Sequence, residues 1–247
     1  MRIVINEFLV NRNKKVATYL FFFSLGVLIL GFFMANGQLL GIVDEDINRS
    51  LYLIGMPIIL LIGFATTMIS VRMTNLWVRV PRPENAIQDG LKGISNKSAI
   101  YHYFHLPARH VLICPYGIFA IINRFQDGEI IHADGKWRQK RGPISQLFSL
   151  FRLDGLGNPT AEAEAAAAHI RYLIEDYDPD IPVYPVIIFH DPKARLTIEN
   201  PSVPVLYTDP KREPNLKEYI RSKEKIEQFD TNEKLTQFIA DFEEFTI

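Results

Sequence analysis

The most basic stretch of the chain is GKWRQKRG at residues 135–142. If this stretch is a β-strand, the alternation of side chains places Lys136, Arg138 and Lys140 on one face and Trp137 on the other. Cations in such a row could contact nucleic acid or the anionic inner leaflet of a membrane. The alternative is an edge strand whose charges keep it solvated and prevent pairing with another chain.

Histidines and the single cysteine form a second set of residues that could do chemistry, here by binding a metal ion: His102, His105, His110 and Cys114. On a strand, His102 and His105 are separated by an odd number of residues, so they point to opposite faces and cannot chelate one ion. The sequence therefore predicts core or edge histidines, a small buried cysteine and no metal site. It also contains no phosphate-loop, Ser-His-Asp or dinucleotide-binding pattern.

These side chains need a sheet to hold them, and apolar runs bounded by turn residues predict one. The predicted strands are AIYHYFH (99–105), RHVLICP (109–115), GIFAIIN (117–123), EIIHA (129–133), KWRQK (136–140), VYPVIIFH (183–190) and VPVLYT (203–208). The sequence Pro115-Tyr116-Gly117 marks a tight turn between the second and third of these strands.

Segments in which apolar residues recur at helical spacing lie before, between and after these strands. An amphipathic helix is predicted to begin near Glu84, and a long helix follows Asn158, which suits the N-cap, and Pro159, which suits the first helical position. A short helix is predicted at 216–220. A final helix carries part of a phenylalanine stripe that either docks a partner or covers its own core: Phe229, Phe238, Phe242 and Phe245. This order predicts an α/β domain with a mixed sheet.

Two long uncharged runs precede this domain, at residues 16–35 and 51–71. At about 1.5 Å per residue, each is long enough to cross the roughly 30 Å hydrocarbon core of a bilayer as a helix. The first run is too long for the apolar part of a signal peptide and lacks a convincing cleavage site. The sequence therefore predicts a membrane anchor at residues 1–80, a domain at 84–222 and an amphipathic C-terminal helix within 223–247.

Charges at the ends of the two runs predict their orientation. The basic residues precede the first run and follow the second: Arg2, Arg12, Lys14, Lys15, Arg72, Arg79 and Arg82. The connecting loop contains Asp44, Glu45 and Asp46 against Arg49 alone. The positive-inside rule then predicts an inner-membrane protein with both termini in the cytoplasm. The chain's net charge of −1 gives no overall attraction to nucleic acid, and no small-molecule substrate is evident.

The order of elements resembles the nuclease-related domain (NERD), a branch of the restriction-endonuclease-like fold. The resemblance spans roughly 84–220. It is carried by Glu84 at the start of the first helix, by HVLICPYGIFAI, by DGEI followed by Trp137, by Asn158-Pro159 at the start of the long helix, and by PVIIF and PVLY. The fold class that it implies is a restriction-endonuclease-like mixed sheet flanked by helices, behind a two-helix transmembrane hairpin.

The resemblance also implies positions for a catalytic site. Members that cut nucleic acid are expected to carry an acidic residue before the second strand and Glu-x-Lys at the end of the third, which together hold a divalent cation and activate water. Matching this chain to that pattern places Arg109 at the acidic position, Ile122 at the glutamate and Arg124 at the lysine. Glu162 falls at the position of the family's glutamine, and Glu84 matches the family unchanged.

The sequence therefore predicts a membrane-anchored binding or scaffold module on a nuclease-related domain that has lost catalysis, with nucleic acid or a cytoplasmic protein as partner and no cofactor. Arg109 and Arg124 could bind phosphate, or each could pair with Glu84 or Glu162 in structural salt bridges. The alternative is a Mg²⁺-dependent nuclease whose acids have moved to Asp127, Glu129 or Asp134. A membrane-associated domain without a ligand is the third possibility.

Overall fold

The structure is a computed structural model that describes residues 1–36, 49–80, 82–140, 155–227, 229 and 231–244, with the side chains of 49–53 left out of the description. The chain divides into two compact units. One contains the described residues of Val10–Val80. The other contains Met1–Leu9 together with the described residues from 82 to 244, so the first nine residues belong to the same unit as the mixed α/β part of the chain.

The helical unit is built on two long helices, α1 (Glu7–Asn36) and α2 (Arg49–Trp77). Both are long and apolar enough to cross a membrane, with mean hydropathies of 2.2 and 2.1 over their candidate spans. Gly63 of α2 lies against α1, since a Cβ there would stand 3.3 Å from Cγ1 of Val27. A small residue at this point allows close helix approach. The acidic loop residues 44–46, which the predicted orientation uses, lie outside the described residues.

The mixed unit combines strands and shorter helices. In chain order they are β1 (Arg2–Ile5), α3 (Pro83–Gly90), β2 (Ala99–His102), β3 (His110–Cys114), β4 (Gly117–Arg124), β5 (Gly128–Ala133), β6 (Lys136–Lys140), α4 (Pro159–Ile174), β7 (Val183–Phe189), β8 (Ala194–Ile198), β9 (Val205–Tyr207), α5 (Leu216–Arg221) and α6 (Glu233–Glu244). The predicted class, two apolar helices followed by a mixed-sheet domain with flanking helices, is confirmed.

The larger sheet has the strand order β1-β2-β3-β4-β7-β9. β3 runs antiparallel to β2 and β4, whereas β4, β7 and β9 run parallel to one another. The sequence did not predict β1. It pairs in parallel with β2, from Arg2 opposite Ala99 to Ile5 opposite His102, and therefore ties the residues in front of α1 into the sheet.

Side-chain alternation separates the larger sheet into two buried faces. On β4, Ile118, Ala120 and Ile122 join the apolar cluster that contains the alanines of α4. Phe119 and Ile121 join the other cluster, with the apolar residues of α3 and α5. Residues of one strand therefore face different helices according to whether their numbers are even or odd, and this decides which site residues can meet.

The turn before β4 depends on a glycine, as the sequence predicts. Gly117 has a φ of +122°, and a Cβ there would stand 2.9 Å from the carbonyl oxygen of Pro182. Both the backbone conformation and the close approach therefore exclude a larger residue. Strands β2, β3, β7 and β9 are shorter than predicted, whereas β4 and β5 each extend one residue further. β2 ends at His102, because Tyr103 has a φ of +66° that turns the chain out of the strand.

The smaller sheet has the order β6-β5-β8, with β5 antiparallel to β6 and parallel to β8. The sequence predicted β5 and β6 but not β8. The indole Nε1 of Trp137 donates a hydrogen bond to Oγ1 of Thr160 at 2.9 Å, at the start of α4. Lys136, Arg138 and Lys140 are exposed on the other face of β6, as the alternation predicts.

The last helix covers the core of its own unit. Leu235, Phe238 and Phe242 of α6 are all buried, and Ile239 packs against the same cluster with Phe229. The ring of Phe242 lies 5.1 Å from that of Tyr101 on β2. Over the described residues, the phenylalanine stripe therefore covers the core of its own unit, which is the second of the two predicted roles. Phe245 lies outside the described residues.

Candidate functional site

Several strands of the larger sheet carry candidate functional side chains at their ends, on the same end of the sheet. Because β3 runs opposite to β2 and β4, its first residue lies beside the last residues of its neighbours. His110 stands opposite both His102 and Ile121, and Arg124 stands opposite Phe189 of β7. The side chains at these strand ends, together with the start of α3, form the candidate site.

Glu84 is the buried acid of the site. Its side chain is 2% exposed, its Oε1 pairs with the guanidinium of Arg82, and its Oε2 accepts a hydrogen bond from the hydroxyl of Tyr103 at 3.2 Å. Burial and the neighbouring Glu84 carboxylate raise the pKa of Tyr103, so its hydroxyl remains a donor. The backbone N–H of Tyr103 donates to the carbonyl of Arg109 at 2.6 Å, which connects Glu84 to the start of β3.

Two histidines meet on the side of the sheet that faces α3. The Nδ1 atoms of His102 and His110 are 2.8 Å apart, so one ring must donate its proton to the other. The sequence could not show this pairing, because it depends on the register between β2 and β3. His190 lies at the end of β7 with its Nδ1 2.9 Å from Oδ1 of Asn123.

His105 is separate from this group, and its Nε2 bonds to the carbonyl oxygen of Phe242 at 2.9 Å. The expectation that His102 and His105 diverge therefore agrees with the geometry. Cys114 is buried, and burial raises the pKa of its thiol to about 12. The described residues contain no group of three or more His, Cys, Asp or Glu side chains placed to hold a metal ion.

The histidine pair should make the stability of the mixed unit fall in acid. Burial and Arg82 lower the pKa of His102 to about 3, and burial also lowers that of His110. The unfolded chain therefore binds more protons than the folded chain below about pH 6.5, and stability is lost as the pH falls. We expect His102 alone to cost about 2 kcal/mol between pH 7 and pH 5.

Urea unfolding of the full chain in detergent at both pH values measures this loss. The double variant His102→Leu/His110→Leu removes both rings and leaves neither nitrogen unpaired, so its stability should change less over the same interval. An equal loss in the variant and the parent chain would contradict the assignment.

Arg124 and Glu162 lie on the side of the sheet that faces α4. The guanidinium of Arg124 donates to Oε1 of Glu162 at 2.6 Å. Its Nε is buried and has no hydrogen-bond partner within the described residues. Burial lowers the pKa of Arg124, and the neighbouring Glu162 carboxylate opposes that shift. The guanidinium of Arg109 lowers the pKa of Arg124 further, so the two arginines influence each other at these strand ends.

The start of α4 fixes the position of Glu162. Asn158 caps the helix by accepting a hydrogen bond from the N–H of Ala161 at 3.2 Å, which places Glu162 in the first turn. Ile122 shares the α4 side with Arg124, but it is buried in the apolar core. The position that the resemblance assigns to a catalytic glutamate therefore contributes only hydrocarbon.

Arg109 is the exposed cation of the site. It lowers the pKa of both Arg124 and His110, which places its charge near both residues. Its guanidinium makes no hydrogen bond or ion pair with any part of the chain that the structure describes. A guanidinium in this state can form two parallel hydrogen bonds with a phosphate or carboxylate from outside the chain.

The salt-bridge alternative is confirmed for one arginine only. Arg124 pairs with Glu162, whereas Glu84 pairs with Arg82 and Arg109 has no acidic partner among the described residues. Lys136, Arg138 and Lys140 belong to the other sheet and do not line these strand ends. Sequence reasoning missed the contributions of Arg82, Tyr103, Asn123 and His190, and it considered His110 only as a possible metal ligand. Arg82, Asn123 and His190 had no signal except their position at the ends of predicted elements.

Mg²⁺ prefers oxygen ligands, which the carboxylates of Glu84 and Glu162 could supply at these strand ends. The carboxylates of Glu84 and Glu162 are each paired with an arginine, and Arg109 adds a further positive charge. Among the acids considered as replacements, Glu129 lies 3.6 Å from Nζ of Lys140, and Asp134 occupies the β5–β6 turn with a φ of +51°. Asp127 precedes β5, and its carbonyl oxygen accepts a hydrogen bond from Gln139 at 2.6 Å.

Comparison with known families adds one match. Residues 82–190 match the family model of the nuclease-related domain. The matched region contains the start of α3, strands β2 to β7 and the strand-end residues as far as His190. No curated protein and no solved structure matches the chain.

Proposed function

Given that the chain contains a nuclease-related domain at residues 82–190, we propose that this domain binds nucleic acid through its phosphates without hydrolysing it. The observation that carries the proposal is the arrangement of charged side chains at the strand ends. Both carboxylates at family positions are paired with arginines, while the Arg109 guanidinium is exposed and unpaired within the described residues.

Phosphate binding at this site would use one cation that is held in position and a second that is free to pair with the phosphate. Arg124 is only 13% exposed and is oriented by Glu162, which leaves its position little freedom. Arg109 stands close enough to disturb its pKa and extends into solvent. Together they would provide one fixed and one adaptable donor group for a phosphate, and base identity would not be read.

We further propose that α1 and α2 anchor the chain in the inner membrane with both termini in the cytoplasm. The strand β1 supports this topology. Its residues pair with β2 in the same sheet as the nuclease-related domain, so the chain must return to the side from which it began. Two crossings satisfy that requirement, and the basic residues beside the spans favour the cytoplasm for that side.

Binding should depend on salt and on Arg109. We expect the full chain in detergent to retain a fluorescent single-stranded oligonucleotide in the presence of EDTA, with affinity that falls as salt rises. Arg109→Ala should weaken binding similarly for unrelated sequences and lower the slope of log K against log salt by about 1. Fluorescence anisotropy over a salt series measures both quantities.

Lys211→Ala is the matched control, because Lys211 is an exposed cation outside the site and its loss should leave the slope unchanged. The same reactions with Mg²⁺ or Mn²⁺ test the alternative function. Metal-dependent cleavage that disappears in Glu84→Gln would identify a nuclease and overturn the proposal. A folded chain that retains no oligonucleotide at low salt would also overturn it and leave a protein partner as the remaining function.

A further inference from the structure

The smaller sheet presents a flat basic surface that the strand-end site does not use. This basic sheet face is formed by the exposed side chains of Lys136, Arg138 and Lys140 on β6 and of Arg195 and Thr197 on β8. The sequence indicated only the β6 part. The strand register adds the β8 part. Glu129 of β5 stands opposite both Lys140 of β6 and Arg195 of β8, so these three side chains lie on the same face of the sheet.

Four cations on this face outnumber its one acid. Glu129 is the carboxylate among the described residues of the face, and its Oε2 is 3.6 Å from Nζ of Lys140. Ile131 lies between the charges, opposite Arg138, and is only partly buried. The face therefore combines a positive charge with a small apolar centre.

We propose that the basic sheet face rests on the anionic phospholipid surface of the membrane that anchors the chain. The proposal relies on the anchoring proposed above but not on nucleic-acid binding. Two flanking spans keep the domain near lipid headgroups, so a weak surface contact is favoured by a high effective concentration. Lysines and arginines near an anionic leaflet each contribute about fivefold to binding.

The composition of the face favours lipid over nucleic acid. Proteins that bind single strands generally combine a groove with aromatic side chains on which bases stack. Here the aromatic residue of β6, Trp137, points to the opposite side and bonds to Thr160. Alternate residues of a strand stand about 7 Å apart, so the cations form a flat array that suits many mobile headgroups.

A label at position 197 can report the contact in the full chain. The buried thiol of Cys114 has a raised pKa, so the Thr197→Cys variant can be labelled selectively near neutral pH. We would reconstitute the labelled chain in nanodiscs of phosphatidylcholine with or without phosphatidylglycerol, each containing a lipid with a headgroup-attached quencher. Quenching should be strong only with phosphatidylglycerol, and should fall as salt rises.

Two comparisons make the result specific. The variant Lys136→Gln/Arg138→Gln/Lys140→Gln should reduce quenching to the level seen in phosphatidylcholine, and unchanged Trp137 fluorescence in a Trp77→Phe background would show that the fold is intact. A label in Glu175→Cys, exposed at the end of α4, should be quenched equally in both lipids. Equal quenching of position 197 in both lipids would overturn the proposal.

Three further outcomes are decisive. Quenching of position 197 by a quencher on a bound oligonucleotide, with no quenching from phosphatidylglycerol discs, would assign the face to nucleic acid and overturn the lipid contact. A chain that does not float with vesicles of either composition would show that the anchoring itself has failed. Normal oligonucleotide binding with strong quenching at position 197 supports the lipid contact, whether or not Arg109 acts as proposed.

Discussion

Replacing Arg124 by methionine is expected to weaken oligonucleotide binding by about 10- to 100-fold without lowering the free energy of unfolding. A hydrogen bond to a charged group at a desolvated site is worth about 1.5–3 kcal/mol, which corresponds to this range of affinity. The lost group is a buried cation whose Nε has no partner among the described residues and whose Nη2 pairs with the half-exposed Glu162, so the stabilising interaction that disappears with it is small.

The expected stability of this variant follows from the same surroundings. Burial is the largest influence on the pKa of Arg124, and burial together with the charge of Arg109 disfavours the charged form more than Glu162 favours it. Methionine keeps much of the apolar stem and removes the desolvated charge, while Glu162 is about half exposed and can be solvated by water. The Arg124→Met chain should therefore unfold at the same or a higher urea concentration than the parent chain.

Anisotropy with the oligonucleotide and urea unfolding, measured on one preparation, check this prediction. Glu162→Gln is the matched control, because it removes the opposing charge but leaves the guanidinium in place and should preserve binding. A variant that binds normally would exclude Arg124 from the anion site. A variant that loses binding only because it is unfolded would reduce Arg124 to a structural residue.

The Phe238→Ala substitution should lower the free energy of unfolding of the mixed unit by about 3–5 kcal/mol. The ring is buried, its centroid lies 5.4 Å from that of Tyr177 and 5.5 Å from that of Phe242, and it belongs to the cluster shared by α4 and the larger sheet. Its removal leaves a cavity beneath α6 that the surrounding strands and helices can fill only in part.

Trp137 can report this unfolding, because its indole packs against the same core. A Trp77→Phe background restricts the fluorescence signal to the mixed unit, and urea titration in detergent then gives the difference between variants. Lys234→Ala changes an exposed residue of the same helix and should alter stability by no more than about 0.5 kcal/mol. A similar small effect for Phe238→Ala would show that α6 does not complete the core.

Local patterns in the sequence were sufficient for the elements with a clear period. The alternation in KWRQK predicts the exposed and inward faces of β6, and Asn158-Pro159 predicts the start of α4, because neighbouring residues decide both features. β8 has the weaker pattern ARLTI and gains its place only by pairing with β5. The four residues of β1 give no local signal strong enough to predict a strand.

The candidate site was predictable by position but not by contact. The resemblance to the family points to Glu84, Arg109, Arg124 and Glu162. The partner of Glu84 is Arg82, however, and the sequence analysis considered Arg82 only as a basic residue after the second apolar run. The contact of His102 with His110 requires the β2–β3 register. The left-handed backbone of Tyr103, which directs its hydroxyl to Glu84, cannot be read from a tyrosine in an apolar run.

The pairing of β1 with β2 sets an order of events during synthesis. Arg2 leaves the ribosome before its partner Ala99, which follows only after both apolar helices have been made. The first strand must therefore wait unpaired until both helices and β2 have been made, and the sheet can close only afterwards. With α1 and α2 in a membrane as proposed, this sheet can form only in a chain whose two helices have both crossed.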